Sequence, residues 1–188
     1  DEARFIVNQI KQGLKKEILA NEVAILYRSN AQSRVLEEAL IQSQIPYRIY
    51  GGLRFFERAE IKDSLAYLRL IANRNDDPAF ERIVNTPTRG IGEQTLQMLR
   101  MEARTEGISL WQAAQQLLSK QTLSGRAANA LTFFVQLIDK MDDETKTLPL
   151  AEQTEQVLYS SRLFTHYQKE KGERGQARIE NLEELINA

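Results

Sequence analysis

The sequence has no cysteine and a single histidine, His166. Disulfides, thiolate metal ligands and Cys–His pairs are therefore excluded, and one histidine cannot form a multi-histidine metal site. An excess of charge of one sign is also lacking, because the formal net charge is −1. The chain has no overall basic field that would attract nucleic acid, so any such contact has to come from a local patch.

Long apolar runs are absent as well. No stretch approaches the ~20 residues that a membrane-spanning helix needs. The N-terminal residues do not follow the basic-then-apolar order of a signal peptide. We therefore expect a cytoplasmic protein without a membrane partner. The chain begins without Met, and a predicted helix runs to its end, which favours an internal piece of a longer protein.

Catalytic motifs are missing too. No segment reads Gly-x-x-x-x-Gly-Lys-Ser/Thr, the loop that surrounds nucleotide phosphates, and Gly51-Gly52 is too short for a dinucleotide-binding turn. The sequence offers no Ser-His-Asp arrangement. Its carboxylates fall mostly on predicted solvated helix faces, where a paired acid–base site is not expected. We expect no catalytic residue, no metal site and no cofactor within this chain, which on its own should be inactive as an enzyme.

The first 54 residues alternate between helical and strand-like patterns. Apolar spacing predicts helices over residues 1–18 and around 35–40, and short apolar runs at 22–27 and 47–50 predict buried strands. The order strand, helix, strand with short connections favours a βαβ unit in a parallel sheet. We therefore predict an α/β fragment with a partial sheet over residues 1–54.

Beyond Gly52 the apolar residues follow helical spacing only. Capping side chains ahead of Pro78 mark the start of one helix, and Pro87 forbids its continuation past Asn85. Helices are predicted over residues 58–72, 75–85, 92–104, 109–114, 124–141, 150–160 and 176–187. Residues 55–188 are thus predicted to form an all-helical domain, and the chain is mostly α overall.

The first binding signal lies between two predicted helices, where residues 86–92 read Thr-Pro-Thr-Arg-Gly-Ile-Gly. A Gly-hydrophobic-Gly turn is typical of helix-hairpin-helix DNA-binding elements. Gly90 and Gly92 would allow close backbone approach and leave amides free at the start of the next helix, while Ile91 fills the helical core. Those amides suit a phosphate oxygen, with Arg89 and Thr95 beside them. The alternative is a tight turn that merely needs glycine twice.

The second signal follows the first predicted strand, where residues 27–34 read Tyr-Arg-Ser-Asn-Ala-Gln-Ser-Arg. Polar groups at the carboxyl end of a parallel strand lie where α/β sheets place ligands. Arg28 and Asn30 could offer a charged fork and an amide to a backbone phosphate, with Arg34 nearby. The alternative is that Ser29 or Asn30 caps the following helix and the arginines are solvated.

The third signal is a basic stripe formed by Arg58, Lys62 and Arg69 on one predicted helix. Such a stripe could follow the backbone of a duplex. The alternative is an ordinary solvated face, since acidic residues lie close by in the sequence.

Five segments together carry a family likeness: residues 24–34, 50–63, 66–70, 85–92 and 178–185. In this order and spacing they resemble the UvrD/PcrA/Rep-type superfamily 1 DNA helicases, and the bacterial UvrD branch in particular. The likeness covers nearly the whole chain. It implies that residues 1–54 are the front part of the RecA-like motor domain 2A, and that residues 55–188 are most of the helical accessory domain 2B.

The resemblance also implies a function. Members of this family move 3′ to 5′ along single-stranded DNA using ATP and Mg²⁺, and bacterial members serve DNA repair. The ATP-binding motifs belong to other parts of those helicases, so this chain is expected to be a DNA-binding and regulatory segment. The alternative is a protein–protein interaction module that docks repair proteins or a second helicase copy without touching DNA.

The same resemblance assigns residues. Arg28 and Asn30 match the single-strand contact motif of 2A, and the Gly90–Gly92 turn with Thr95 matches the 2B hairpin that touches duplex DNA. The expected partners are single-stranded and double-stranded DNA. The full set of candidate DNA-binding residues is Arg28, Asn30, Arg34, Lys62, Arg69, Arg89, Gly90, Ile91, Gly92 and Thr95.

Overall fold

The computed structural model describes residues 2–50 and 52–187. The chain divides into two compact units, Asp1–Arg58 and Ala59–Ala188. The predicted boundary at about residue 55 falls a few residues before this division.

The first unit contains two α-helices among its described residues, α1 (Glu2–Leu14) and α2 (Ser33–Gln42). Three short 3₁₀ turns accompany them at Ala20–Glu22, Asn30–Gln32 and Phe55–Glu57. The core is small: Val7 and Ile10 of α1 meet Leu40 of α2. Half-buried residues from the non-helical segments pack against it, namely Val23, Ile25, Ile45 and Tyr47.

The predicted partial sheet is wrong, because the described residues form no β-strand. In residues 23–27 the side chains do alternate: Val23 and Ile25 are half-buried, whereas Leu26 is 94% exposed. This period of two is what a strand would show, and it explains the prediction. A strand also requires backbone hydrogen bonds to a neighbour, and neither this segment nor 45–50 has such a ladder in the described part of the chain. Side-chain packing onto α1 and α2 holds both segments instead.

Among its described residues, the second unit consists of helices and the loops that connect them. Its helices are α3 (Ala59–Ala72), α4 (Asp77–Ile83), α5 (Glu93–Glu106), α6 (Leu110–Ser119), α7 (Gly125–Thr145), α8 (Leu150–Ser160), α9 (Leu163–Gln168) and α10 (Glu173–Ile186). All but α9 fall where the apolar spacing predicts a helix. The short α9 begins after Arg162, whose φ of +65° ends the helical conformation of α8 and separates the two helices.

Aromatic packing builds the core of this unit. Phe80 of α4 lies edge-on to Trp111 of α6 and to Phe134 of α7, with ring centroids 6.5 and 5.5 Å away. Tyr67 of α3 is fully buried in the same core. Edge-to-face pairs add to the free energy of burying these rings, so α4 is held firmly against its neighbours. The segment that follows α4 therefore starts from a fixed position.

Candidate nucleic-acid interface

Residues 84–92, called the glycine turn below, connect α4 to α5. Gly90 has a φ of +86°, in the left-handed region that glycine adopts at low cost. Gly92 is the N-cap of α5 with φ −89° and ψ 174°, an extended conformation open to any residue. Between them the side chain of Ile91 is 1% exposed and belongs to the helical core. The prediction that Ile91 fills the core is confirmed.

The side chain of Asn85 organises this turn from within. Its Oδ1 accepts the backbone N–H of Arg89 at 2.8 Å and that of Ile91 at 3.3 Å. In the described part of the chain, no partner receives the backbone N–H groups of Gly90, Gly92 or the first three residues of α5. The turn and the helix that follows it therefore present several unbound donors close together.

The space in front of these donors is open. A Cβ added at Gly90 or at Gly92 would meet no atom within 4 Å. Gly90 is explained by its positive φ, whereas at Gly92 the backbone is extended and no described residue lies within 4 Å of where a Cβ would be. Unbound amides at the positive end of a helix, with no Cβ in front of them, form a surface that a phosphate oxygen can approach.

Arg89 does not stand beside these amides but points into the helical unit. Its Nη1 donates to the carbonyl oxygens of Ile83 (3.1 Å) and Pro87 (3.0 Å). Its Nη2 donates to the Tyr67 hydroxyl and to the carbonyl oxygen of Ser161 (3.3 Å). The guanidinium thus joins the glycine turn to α3 and to the corner between α8 and α9. The sequence gives no signal for this inward direction, because the partners come from distant segments.

Tyr67 completes the support of the turn. Its hydroxyl donates to the carbonyl oxygen of Thr86 at 2.6 Å while it accepts from Arg89. Burial raises the pKa of Tyr67 to about 12, and the neighbouring Arg89 acts in the opposite direction. The hydroxyl is therefore neutral at physiological pH and remains available as a donor to Thr86.

Thr95 lies in the first turn of α5, as the sequence predicts, but its side chain is buried: only 7% of the residue is exposed. Its backbone N–H remains one of the unbound donors, whereas its hydroxyl does not present an open surface. Replacing this side chain would therefore disturb packing as well as any contact with a ligand.

Residues 27–34 of the first unit show the capping by Ser29 that the sequence offers as one alternative. Ser29 caps the 3₁₀ turn by accepting the N–H of Ala31 at 3.4 Å, and Gln32 Oε1 folds back to accept the N–H groups of Arg28 and Ser29. Arg28 is nevertheless exposed, and its guanidinium has no partner among the described residues. The side chain of Asn30 is exposed as well.

Arg34 and Arg58 are held inside the first unit. Arg34 is buried and pairs with Glu38 one turn along α2, at 2.8 Å. Arg58 is also buried, and its guanidinium donates to the carbonyl oxygen of Asn30 (2.9 Å) and to Ser33 Oγ (2.8 Å). Arg58 therefore does not belong to the exposed stripe that the sequence predicts. It anchors the turn that carries Asn30.

Glu37 is the centre of this buried network. Its Oε1 accepts from Ser33 Oγ (2.8 Å) and from the backbone N–H of Phe55 (3.1 Å), and its Oε2 accepts from the Tyr47 hydroxyl (3.0 Å). Burial, together with the hydrogen bond to Glu37, raises the pKa of Tyr47 to about 12. A glutamate on an amphipathic helix gives no sequence signal of such a role.

Lys62 and Arg69 lie on α3 in the second unit, and only Lys62 is unengaged. Lys62 is exposed, with no partner among the described residues. Arg69 is exposed too, but both its Nε and its Nη2 lie 2.8 Å from Asp76 Oδ2. In this unit the structure thus brings together the glycine turn and the start of α5, while Arg69 is paired with the N-cap of α4.

No group of three or more His, Asp or Glu side chains in the described residues could hold a metal ion. No described helix is long and apolar enough to cross a membrane.

The chain falls into one known class, the C-terminal domains of UvrD-like helicases. The model of that family matches residues 1–188, and the chain belongs to it. The chain is 62% identical over 188 residues to DNA helicase II of Escherichia coli (strain K12), covering 100% of this chain and 26% of that protein. It is 40% identical over 190 residues to the ATP-dependent DNA helicase PcrA of Bacillus subtilis (strain 168), covering 99% of this chain and 25% of that protein.

The chain therefore spans about a quarter of the length of the curated relatives that it matches. PcrA is ATP-dependent by name. The sequence of this chain has no Gly-x-x-x-x-Gly-Lys-Ser/Thr loop, so a phosphate-binding loop of that kind does not come from these residues.

Proposed function

We propose that this chain is a DNA-binding and regulatory segment of an ATP-dependent 3′–5′ DNA helicase that acts in DNA repair or replication. The Ala59–Ala188 unit, corresponding to domain 2B, contacts the backbone of duplex DNA through the glycine turn as a helix-hairpin-helix element. The Asp1–Arg58 unit, corresponding to part of domain 2A, contacts single-stranded DNA through Arg28 and Asn30. ATP and Mg²⁺ are bound by other parts of the helicase.

The observation that carries the duplex contact is the open backbone at Gly92. The fold makes no use of the missing side chain, because the conformation is ordinary and nothing lies within 4 Å of an added Cβ. A phosphate oxygen, in contrast, needs the space that a side chain would fill in order to approach the unbound amides of the turn. Such contacts recognise the backbone and not the bases, as a helicase that acts on any sequence requires.

The electrostatics of the turn make this contact moderate in strength. Glu93, the first residue of α5, places a negative charge at the end of the helix where phosphate would bind. The inward direction of Arg89 also removes one cation from the surface. The binding free energy therefore comes from amides and the helix dipole, and we expect the weak non-specific range, about 10⁻⁴ to 10⁻⁶ M at physiological salt.

The single-strand contact rests on the exposure of Arg28. Its guanidinium is exposed without a partner among the described residues, while Gln32 holds the backbone N–H of Arg28 and Arg58 holds the carbonyl oxygen of Asn30, two residues further on. A positively charged fork on a fixed turn suits a backbone phosphate. Arg34, which is paired with Glu38, contributes to the fold of this turn and offers less to a ligand.

The test replaces Gly92 by Val and uses Gly125→Val as the matched control. Gly125 also lies in the first turn of a helix, α7, and a Cβ added there meets nothing within 4 Å. Binding of each variant to blunt duplex and to duplex with a 3′ tail is measured from low to physiological salt. We expect Gly92→Val to weaken binding about tenfold for every base sequence, and Gly125→Val to bind as the wild type does.

Equal duplex binding by wild type and both folded variants would make the glycine turn a purely structural feature. A protein–protein interaction module would then be the better proposal. One observation supports this second candidate: several large apolar side chains of the helical unit are exposed, namely Met101, Phe133, Leu150 and Tyr159. A repair protein or a second helicase copy could cover them.

A further inference from the structure

We propose that Asn85 is a positioning residue for duplex binding: its side-chain oxygen holds the glycine turn in the shape that presents amides to phosphate. The role rests on the proposed function of the turn. Asn85 itself is half-buried behind the turn and is not placed in contact with DNA.

The hydrogen bonds of Asn85 select which amides stay unbound. Oδ1 accepts the N–H groups of Arg89 and Ile91, the residues on either side of Gly90. Gly90 lies between them with φ +86°, and its own N–H has no partner in the described part of the chain. The unbound N–H groups of Gly90 and Gly92 thus lie on either side of the Ile91 N–H that Asn85 holds, so the bond to Asn85 fixes the backbone that carries both donors.

The side chains of Arg89 and Tyr67 hold the rest of the turn through hydrogen bonds to its carbonyl oxygens and to that of Ile83. Arg89 donates to the carbonyl oxygens of Ile83 and Pro87, and Tyr67 donates to that of Thr86. These bonds take up carbonyl oxygens on the inner side of the turn, whereas Asn85 fixes its amides. A turn ordered before binding loses little conformational entropy when a phosphate arrives, so each unbound amide contributes more to affinity.

Two features separate this role from simple support of the fold. Ile91 is held by the apolar core as well as by Asn85, so its side chain should stay buried when Asn85 is changed. Neither of the two amides that Asn85 holds is part of a helix, since α5 begins at Glu93. Loss of the side-chain oxygen is therefore expected to disorder the outer part of the turn more than the helical unit.

The experiment compares Asn85→Ala with Ser109→Ala in the full chain. Ser109 caps α6 by accepting the N–H of Gln112 at 3.3 Å, so its loss also lowers stability moderately but leaves the glycine turn intact. Duplex binding is measured at low salt, and thermal unfolding gives the stability of each variant. We expect about a tenfold weaker Kd for Asn85→Ala, because the turn must then be ordered when DNA binds, and a change within about twofold for Ser109→Ala.

Hydrogen exchange supplies a second readout. The Ile91 amide should exchange faster in Asn85→Ala and stay protected in Asn85→Asp, which keeps an acceptor oxygen at the same reach. If Asn85→Ala fails to fold, Asn85→Gln takes its place, because the added methylene moves the oxygen away from both amides, and the same tenfold loss is expected.

The outcomes separate the two proposals. If Gly92→Val weakens duplex binding while Asn85→Ala binds as the wild type does, the positioning role is overturned and the duplex contact stands. If Asn85→Ala and Ser109→Ala weaken binding equally, the effect is one of stability and the positioning role is again overturned. If Gly92→Val and Asn85→Ala both leave binding unchanged, the proposed function of the turn fails as well.

Discussion

The carboxylate of Glu93 lies 2.9 Å from Nη1 of Arg100, two turns further along α5. Arg100 also pairs with Glu81 of α4 at 2.5 Å, and the hydrogen bonds to Glu81 and then Glu93 raise its pKa. The acidic side chain is thereby drawn along the helix and partly neutralised, but it remains at the end of α5 where a phosphate is proposed to bind. Glu93 stabilises the helix and opposes the ligand at the same time.

Glu93→Gln should therefore tighten duplex binding. Removal of one exposed negative charge from the helix N-terminus is worth about 0.3–1 kcal/mol to an incoming anion, or roughly a threefold lower Kd at low salt. Titrations at two salt concentrations check the charge effect, which should shrink as salt screens it. Glu106→Gln, at the opposite end of α5, serves as the control and should bind as the wild type does. Equal affinities for Glu93→Gln and wild type at low salt would contradict a phosphate at this helix end.

Gly92→Asp should move stability and binding in opposite directions. Aspartate is a favoured N-cap, and the extended backbone at this position accepts it, so the free energy of unfolding should be unchanged or higher by about 0.5 kcal/mol. The same carboxylate would take the amide donors and repel phosphate, so duplex binding should fall more than about tenfold. Thermal unfolding and duplex titration of one preparation measure both. A more stable variant with undiminished binding would show that these amides do not meet DNA.

Arg28→Ala should weaken single-strand binding by the full-length helicase of which we propose this chain to be part. Loss of one phosphate contact should also reduce the slope of log Kd against log salt by about 0.7 for a single strand. Arg48→Ala is the matched control, because Arg48 is another exposed arginine of the same unit without a partner in the described residues. A single-strand affinity and salt slope that are the same for both variants and for wild type would leave Arg28 as a solvated residue beside a capped turn.

Arg162→Gly should stabilise the chain. Arg162 has a φ of +65°, and a non-glycine residue in that region is strained by about 1–3 kcal/mol. Glycine relieves this strain, but it also loses more conformational entropy on folding, which offsets part of the gain. The net gain should be about 1 kcal/mol in chemical unfolding. Arg162→Ala removes the same side chain but keeps the strained backbone, so it should show no comparable gain. Equal effects of the two substitutions would place the origin in the side chain instead.

The helical unit could be predicted from sequence because its signals are local. Apolar spacing predicts the helices α3 to α8 and α10, and the Gly90–Gly92 pattern predicts a buried Ile91 within an open turn. The partial sheet could not be predicted correctly, since the alternating pattern around Leu26 shows the period of a strand but not its hydrogen-bonding partner. The alternation of side chains can be recognised within the segment itself, whereas a ladder of backbone hydrogen bonds depends on a second segment elsewhere in the chain.

The arginines show the same limit at the candidate site. Arg28 and Arg34 lie six residues apart, yet one is exposed and the other is buried against Glu38. Arg89 and Arg58 both have polar partners far away in the chain, Ser161 and Asn30, which turn them inward. A sequence motif can place a cation near a turn, but the direction of a long side chain depends on carbonyl oxygens that only the folded chain brings close.

The most direct measurement is a titration of the ¹⁵N-labelled chain with duplex DNA, followed by the amide resonances of the turn. The account predicts that the amides of Gly90, Gly92 and the first turn of α5 shift in a concentration-dependent manner, equally for duplexes of different sequence, and that added salt reverses the shifts. The Gly125 amide, at the start of α7, should stay in place. Shifts that appear elsewhere on the chain while Gly90 and Gly92 do not move would contradict the assignment of the glycine turn as the duplex contact.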